Sequence, residues 1–292
     1  MSEPLNESPE LASLQPLEGG WSGETFLAEA GGDRTVVRIF AGLRHLPEAA
    51  QIQAALLRLV DGLLPVPRVL ELRRADPVAD MPALLVTSFL PGTRGDLLLP
   101  TLDRAGLARL GAACGRIAGT LGGMPMLRRG TFVDGDLRIE PFELDLPAYV
   151  DGLGLDLPGL AEVAEAAQAL LDEEPRTCLV HSDLNPKNLL VDPDTVAITG
   201  VLDWEFAHAG HPFTDLGNLL RFERDPAYVE AVLAAYAELR GTPPARALDL
   251  ARAADLVALA ELASREGANP VATRAAALLR AIARTGDLHA TD

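Results

Sequence analysis

Lysine is almost missing from this chain: Lys187 is the single example among 292 residues, and arginine supplies every other permanently basic side chain. Positive charge as a whole is scarce, since 25 Lys and Arg against 42 Asp and Glu leave a formal net charge of −17. That balance excludes a general nucleic-acid binder, which must displace counterions with a basic surface. It suits a cationic small partner, which an acidic cleft attracts. Cysteine is limited to Cys114 and Cys178, far apart, in apolar surroundings and without a CxxC. Neither a disulfide framework nor a zinc site is expected from them, and the reading is two buried free thiols. No run of eighteen apolar residues occurs, so no membrane partner or spanning helix is expected. The opening residues MSEPLNESPE are acidic and polar, without the basic and apolar parts of a secretory signal, which makes the cytoplasm the expected compartment. A GxSxG elbow is missing, and His45, His208, His211 and His289 are scattered without metal-ligand spacing, which sets aside a hydrolase and a zinc enzyme.

What is present is a globular mixture, 48% hydrophobic and 23% charged. The pattern along it changes once. Before the change, Glu24–Ala30 and Arg34–Phe40 read as strands joined by the tight turn Gly31-Gly32-Asp33. A helix is expected from Pro47 to about Asp61, with Gly62 as its stop and Ile52, Leu56, Leu57, Leu59 and Val60 as an apolar stripe. Val66–Leu72 and Ala83–Phe89 read as two more strands. After Leu90-Pro91-Gly92 the spacing becomes helical, first over Asp103–Leu121 and then over Leu160–Leu171. A strand at Thr177–Val180 enters a polar loop, strands at Leu189–Val191 and Val196–Leu202 follow around Asp192-Pro193-Asp194, and helix dominates from Phe213. The organisation expected is a β-rich N-terminal lobe, residues 1–90, and a larger mainly helical lobe, residues 91–292.

The polar loop carries the chemistry. It reads His181-Ser182-Asp183-Leu184-Asn185-Pro186-Lys187-Asn188, and Asp203-Trp204-Glu205 closes the strand after it. A loop aspartate, an asparagine five residues on and a strand-end aspartate are the parts that phosphoryl transfer requires. The loop carboxylate orients the acceptor hydroxyl and takes its proton. The amide and the second carboxylate offer the few oxygen ligands that Mg²⁺ prefers beside water and phosphate. Asp183 is thus the expected catalytic base, and Asn188 and Asp203 the expected metal ligands. Lys187, the one lysine, is expected beside the transferred phosphoryl group or as a brace of the loop, where a compact ammonium fits and a planar guanidinium does not.

The segment from His181 to Leu220 resembles the core of the aminoglycoside phosphotransferase and choline-kinase-like family, whose HxDxxxxN is met here by His181, Asp183 and Asn188. Asp215, before an apolar helix, matches the residue that braces the catalytic loop in that family. Gly19-Gly20-Trp21-Ser22-Gly23-Glu24-Thr25 is similar to the family's phosphate-covering turn, and Leu64-Pro65-Val66-Pro67 to its link from helix to strand. The resemblance implies an α+β, bilobal protein-kinase-like fold that uses Mg²⁺ and ATP, with GTP as the alternative donor. It implies a nucleotide site built from Gly20, Ser22, Gly23, Val36, Arg38 and Gln53, with Thr87 and Phe89 at a hinge that meets the purine. Two departures stand out: Arg38 occupies the slot of a phosphate-gripping lysine, and Gln53, counted back without gaps from Leu64-Pro65-Val66-Pro67, that of its glutamate partner, with Glu48 as the alternative if the alignment slips. The acceptor implied is a small hydroxylated molecule such as an aminoglycoside, a macrolide or a metabolic alcohol, with Glu205, the acidic stretch Asp134–Asp145, Glu261 and Glu266 as carboxylates to receive it. The competing expectation, prompted by the two departures, is a nucleotide-binding pseudokinase that senses or scaffolds.

Overall fold

The computed structural model of the chain describes residues 13–17, 25–30, 32–41 and 47–291. It divides into two compact units, Met1–Pro91 with Val133–Arg138, and Gly92–Phe132 with Ile139–Asp292.

In the first unit the strands are β1 (Ser13–Pro16), β2 (Thr25–Ala30), β3 (Asp33–Phe40), β4 (Val69–Arg73) and β5 (Ala83–Ser88), and the helix between β3 and β4 is α1 (Ala49–Val60). They form one antiparallel sheet in the order β1-β2-β3-β5-β4. Val36 faces Thr87, Arg38 faces Leu85 and Phe40 faces Ala83 across β3 and β5. Side chains that pair directly project to one side of a sheet, so these six share a face. Helix α1 packs on β4 and β5, burying Ile52, Gln53, Leu56, Leu57 and Val60. Leu59, expected on the same stripe, is exposed. Gly62 ends the segment in the left-handed region at φ +78°, where glycine alone is unstrained. Strand β4 starts three residues later than the sequence pattern suggests, because Pro65 and Pro67 have no N–H to give a ladder. The turn Val133–Arg138 also belongs to this unit, and Gly135 there lies so close to Gln51 of α1 that a methyl group would meet its Cβ at 3.0 Å.

The second unit continues with β6 (Thr93–Arg94), α2 (Gly95–Leu98), α3 (Arg104–Leu121), β7 (Gly130–Phe132), β8 (Ile139–Pro141), α4 (Leu146–Gly152), α5 (Leu160–Asp172) and β9 (Cys178–Val180). It ends with β10 (Leu189–Val191), β11 (Ile198–Val201), β12 (His208–Gly210), α6 (Thr214–Leu220), α7 (Pro226–Arg240), α8 (Pro244–Ala263) and α9 (Pro270–Thr285). Two small antiparallel sheets, β11-β10-β6 and β8-β7-β12-β9, sit among the helices. Strand β11 starts later than expected, since Val196 turns at φ +60° and Asp192 Oδ1 accepts from the N–H groups of Asp194 and Thr195. Helices α3 and α7 meet backbone to backbone: a methyl group on Gly115 would overlap the carbonyl of Val232, so only glycine permits this approach. Helix α6 is clamped to α8 by a buried ion pair, Arg221 to Asp255 at 2.7 Å, which Asn218 joins by accepting from Arg221 at 3.0 Å. That clamp fixes the helix on which Asp215 is carried.

Candidate active site

Strand β9 is buried at all three positions and pairs with β12, so the loop that leaves it starts from a fixed point. The backbone turns sharply at Ser182, φ +66°, a left-handed conformation that costs a non-glycine residue on the order of 1–3 kcal/mol. Asp215, in the first turn of α6 and fully buried, holds that turn: its carboxylate accepts from the N–H of His181 at 3.0 Å and of Ser182 at 2.9 Å. Burial pushes the Asp215 pKa upward, and the nearby His181 ring and the two N–H groups oppose it.

His181 ties the loop to the strand that ends at Asp203. Its Nε2 lies 2.8 Å from the carbonyl of Leu202, so that nitrogen must donate, and Nδ1 then accepts from the N–H of Asp183 at 3.3 Å. The ring also stacks on Trp204, centroid to centroid 4.7 Å. A second tie runs from the N–H of Leu202 to the carbonyl of Asn188 at 2.9 Å. Asn188 and Asp203 are therefore held one residue out of register with each other. Asp203 itself is left-handed, at φ +64°.

The carboxylate of Asp183 is gripped on both oxygens. Asn185 Nδ2 donates to Oδ1 at 2.7 Å, and Asn188 Nδ2 donates to Oδ2 at 2.7 Å. Both amides also reach the backbone carbonyl of Asp183, at 3.2 and 2.9 Å. With its nitrogen spent in this way, Asn188 has its carbonyl oxygen as the end that can ligate a cation. Lys187 lies within the single helical turn Pro186–Asn188, whose start is capped by Asn185 Oδ1 accepting the Lys187 N–H at 3.0 Å. Among the described residues no cluster of three or more His, Cys, Asp or Glu is arranged to hold a metal. One amide and one carboxylate instead make the sparse oxygen set that suits Mg²⁺, which keeps several waters.

In the first unit, Arg38 Nη1 donates to Gln53 Oε1 at 3.4 Å, and its guanidinium lies 5.4 Å from the Phe40 ring. Val36 is beside it on the same face, opposite the buried Thr87. Phe89 stacks under the guanidinium of Arg34 at 4.0 Å. Gly20, Ser22 and Gly23 lie outside the described residues.

The acidic candidates fare differently. Glu205 is exposed, two residues beyond Asp203 in the short helical turn Trp204–Phe206. The stretch from Asp134 was expected against the helical lobe, but its first residues form the turn that belongs to the first unit. There Asp134 accepts from the N–H and guanidinium of Arg138, which holds its pKa below the usual carboxylate range. Glu261 pairs with Arg265 and Glu266 with Arg280. Both thiols are buried, and desolvation pushes each pKa up to about 12, so neither is a nucleophile at neutral pH. Asn185 was not singled out from the sequence. The available signal was an asparagine before a proline, two residues past the base, a common start for a tight turn.

An antiparallel sheet with one helix, followed by a mainly helical unit in which a loop holding Asp183 and Asn188 is stitched to the strand that ends at Asp203, is a protein-kinase-like α+β fold. The chain belongs to the phosphotransferase enzyme family APH, whose model matches residues 13–248. It is similar to a microcompartment-associated aminopropanol kinase, 25% identical with a TM-score of 0.62 over 94% of this chain and 91% of that one. It shares its fold with aminoglycoside phosphotransferase APH(4)-Ia, in a ternary complex with ADP and hygromycin B, at 18% identity and a TM-score of 0.65 over 94% of each chain. A stretch of 53 residues, 18% of this chain, is 42% identical to acyl-CoA dehydrogenase family member 11 of Mus musculus and spans 7% of that protein's length. Among the described residues no helix is long and apolar enough to cross a membrane.

Proposed function

We propose that this protein transfers the terminal phosphoryl group of ATP, bound with Mg²⁺, to a hydroxyl of a small cationic molecule, an amino alcohol or an aminoglycoside. The observation that carries the reading is the grip on Asp183: each oxygen accepts one amide hydrogen, at 2.7 Å in both cases, and one of those amides is Asn188. A carboxylate so fixed is oriented to take the proton of an incoming hydroxyl. Asn188 and Asp203 would hold the metal, which when bound neutralises phosphate charge. Lys187 would stand near the transferred group. For the nucleotide, Val36 would cover the base and Arg38, steadied by Gln53, would grip phosphate. Thr87 and Phe89 would border the purine, and Gly20, Ser22 and Gly23 would cover the phosphates. GTP is the alternative donor, since the purine would be read by backbone groups.

The net charge of −17 favours a cationic acceptor, with Glu205 as an exposed carboxylate to meet it. A structural neighbour named for aminopropanol and one crystallised with hygromycin B support acceptors of that kind. A role in antibiotic resistance would follow if the acceptor is such a drug. The test is nucleotide consumption with a panel of amino alcohols, aminoglycosides and macrolides. Asp183→Ala is expected to keep nucleotide binding and lose about 10²–10⁴ in turnover. Wild-type turnover in that variant refutes the base assignment, and nucleotide binding without turnover on any acceptor supports the pseudokinase instead.

A further inference from the structure

Asn185 occupies an unusual place: both ends of its amide are used, and they serve different partners. The donor end reaches Asp183 Oδ1 at 2.7 Å and the acceptor end takes the Lys187 N–H at 3.0 Å. The assignment of the two ends is forced, because a carboxylate oxygen can only accept and a backbone N–H can only donate. The side chain therefore does two separable things. As an acceptor it caps the turn that presents Lys187 and Asn188. As a donor it fixes the second oxygen of Asp183, the one Asn188 does not hold.

We propose that Asn185 is a positioning residue for phosphoryl transfer, and that its donor end, which sets the rotation of the Asp183 carboxylate, is what the reaction depends on. This rests on the reading of Asp183 as the base. With only Oδ2 held, the carboxylate swings about Cβ–Cγ and loses its aim at the acceptor hydroxyl. With both oxygens held by amides, it keeps one orientation. The spacing of Asn185 from the base gives the side chain the reach for this, and its place before Pro186 fixes the backbone that carries it.

The two roles separate by substitution. Asparagine and serine are comparable caps, but Asn185→Ser is too short to give a hydrogen to Asp183 Oδ1. This variant is expected to unfold within a few degrees of wild type and to bind Mg²⁺-nucleotide about as tightly. Its turnover is expected to fall about 10- to 100-fold, the loss of one charge-assisted hydrogen bond in the transition state. Asn185→Ala, which removes cap and donor together, is expected to lose turnover to a similar extent and stability as well. Wild-type turnover in Asn185→Ser overturns the proposal and leaves Asn185 as a cap. So does a loss of turnover that appears only in Asn185→Ala and follows its loss of stability. If Asp183→Ala is inert while Asn185→Ser is fully active, this inference alone falls. If Asp183→Ala turns over normally, the base assignment falls and this inference with it.

Discussion

Replacing Asp215 by asparagine removes one charge from beneath the catalytic loop and changes little else in shape. The aspartate accepts from His181 and Ser182 at 3.0 and 2.9 Å, and a bond from N–H to a buried carboxylate is worth about 1.5–3 kcal/mol. Asparagine keeps one of them. Its NH₂ then faces the other N–H, and a buried N–H without a partner costs about 1–3 kcal/mol. Part of this is returned, because asparagine carries no charge for burial to penalise, and burial is what pushes the Asp215 pKa up. The net loss expected is about 2–3 kcal/mol. It falls on a loop already strained at Ser182, so the loop relaxes before the rest of α6 moves, since Arg221 and Asp255 still clamp that helix. If about 1.4–2.7 kcal/mol of the loss is felt in the transition state, turnover drops about 10- to 100-fold. Thermal unfolding and single-turnover kinetics on the same preparation measure both parts. Asp215→Asn with wild-type melting temperature and wild-type turnover would refute the bracing argument.

Gly115→Ala is expected to cost at least about 1–3 kcal/mol, because the new methyl group must push α3 away from the Val232 carbonyl; an unchanged melting temperature would contradict this. His211 gives the stability a defined pH dependence. Burial, with Arg129 nearby, lowers its pKa to about 4 from 6.5, so the folded state resists a proton that the unfolded chain accepts. The stability it contributes is complete above pH 6.5 and is lost as pH falls toward 4, up to about 3 kcal/mol. Urea titrations at pH 7 and pH 4.5 should show a smaller difference in His211→Gln than in wild type. Arg38→Ala is expected to weaken nucleotide binding strongly and Gln53→Ala mildly, by isothermal titration. Arg38→Lys should not restore full affinity, since a lone ammonium facing a glutamine lacks a carboxylate partner.

The loop from His181 to Asn188 was legible as a structural unit because its residue types recur at fixed spacing, and the side chains so spaced meet on Asp183. Arg38 and Gln53 were legible for another reason. Alternation along β3 and counting back from Pro65 name both positions, and the two side chains meet at 3.4 Å. Asn185 was not legible, because its contacts depend on the direction of an amide and not on its distance from Asp183 along the chain. Strands β7, β8 and β12 were missed: each has three residues and includes a glycine or a proline, which read as turn, whereas the equally short Leu189–Val191 is wholly apolar. The acidity of Asp134 misled for a physical reason: a carboxylate in a turn is first consumed by its own backbone and by Arg138. The late start of β4 was visible in principle in Pro65 and Pro67, whose missing donors outweigh the β-type residues around them.

The hydrogen bonds described above for the loop from His181 to Asn188 close within one continuous stretch, from β9 to the first turn of α6. The entropy of closing a loop grows only slowly with its length, but a short closure can be made before distant parts of the chain have found each other. The loop is therefore a local product of folding and does not wait for the C-terminal helices to be complete. Those helices supply permanence: the Arg221–Asp255 clamp arrives from α8, late in the chain. During synthesis from the N-terminus, the loop can take its shape before α8 is made and be locked afterwards.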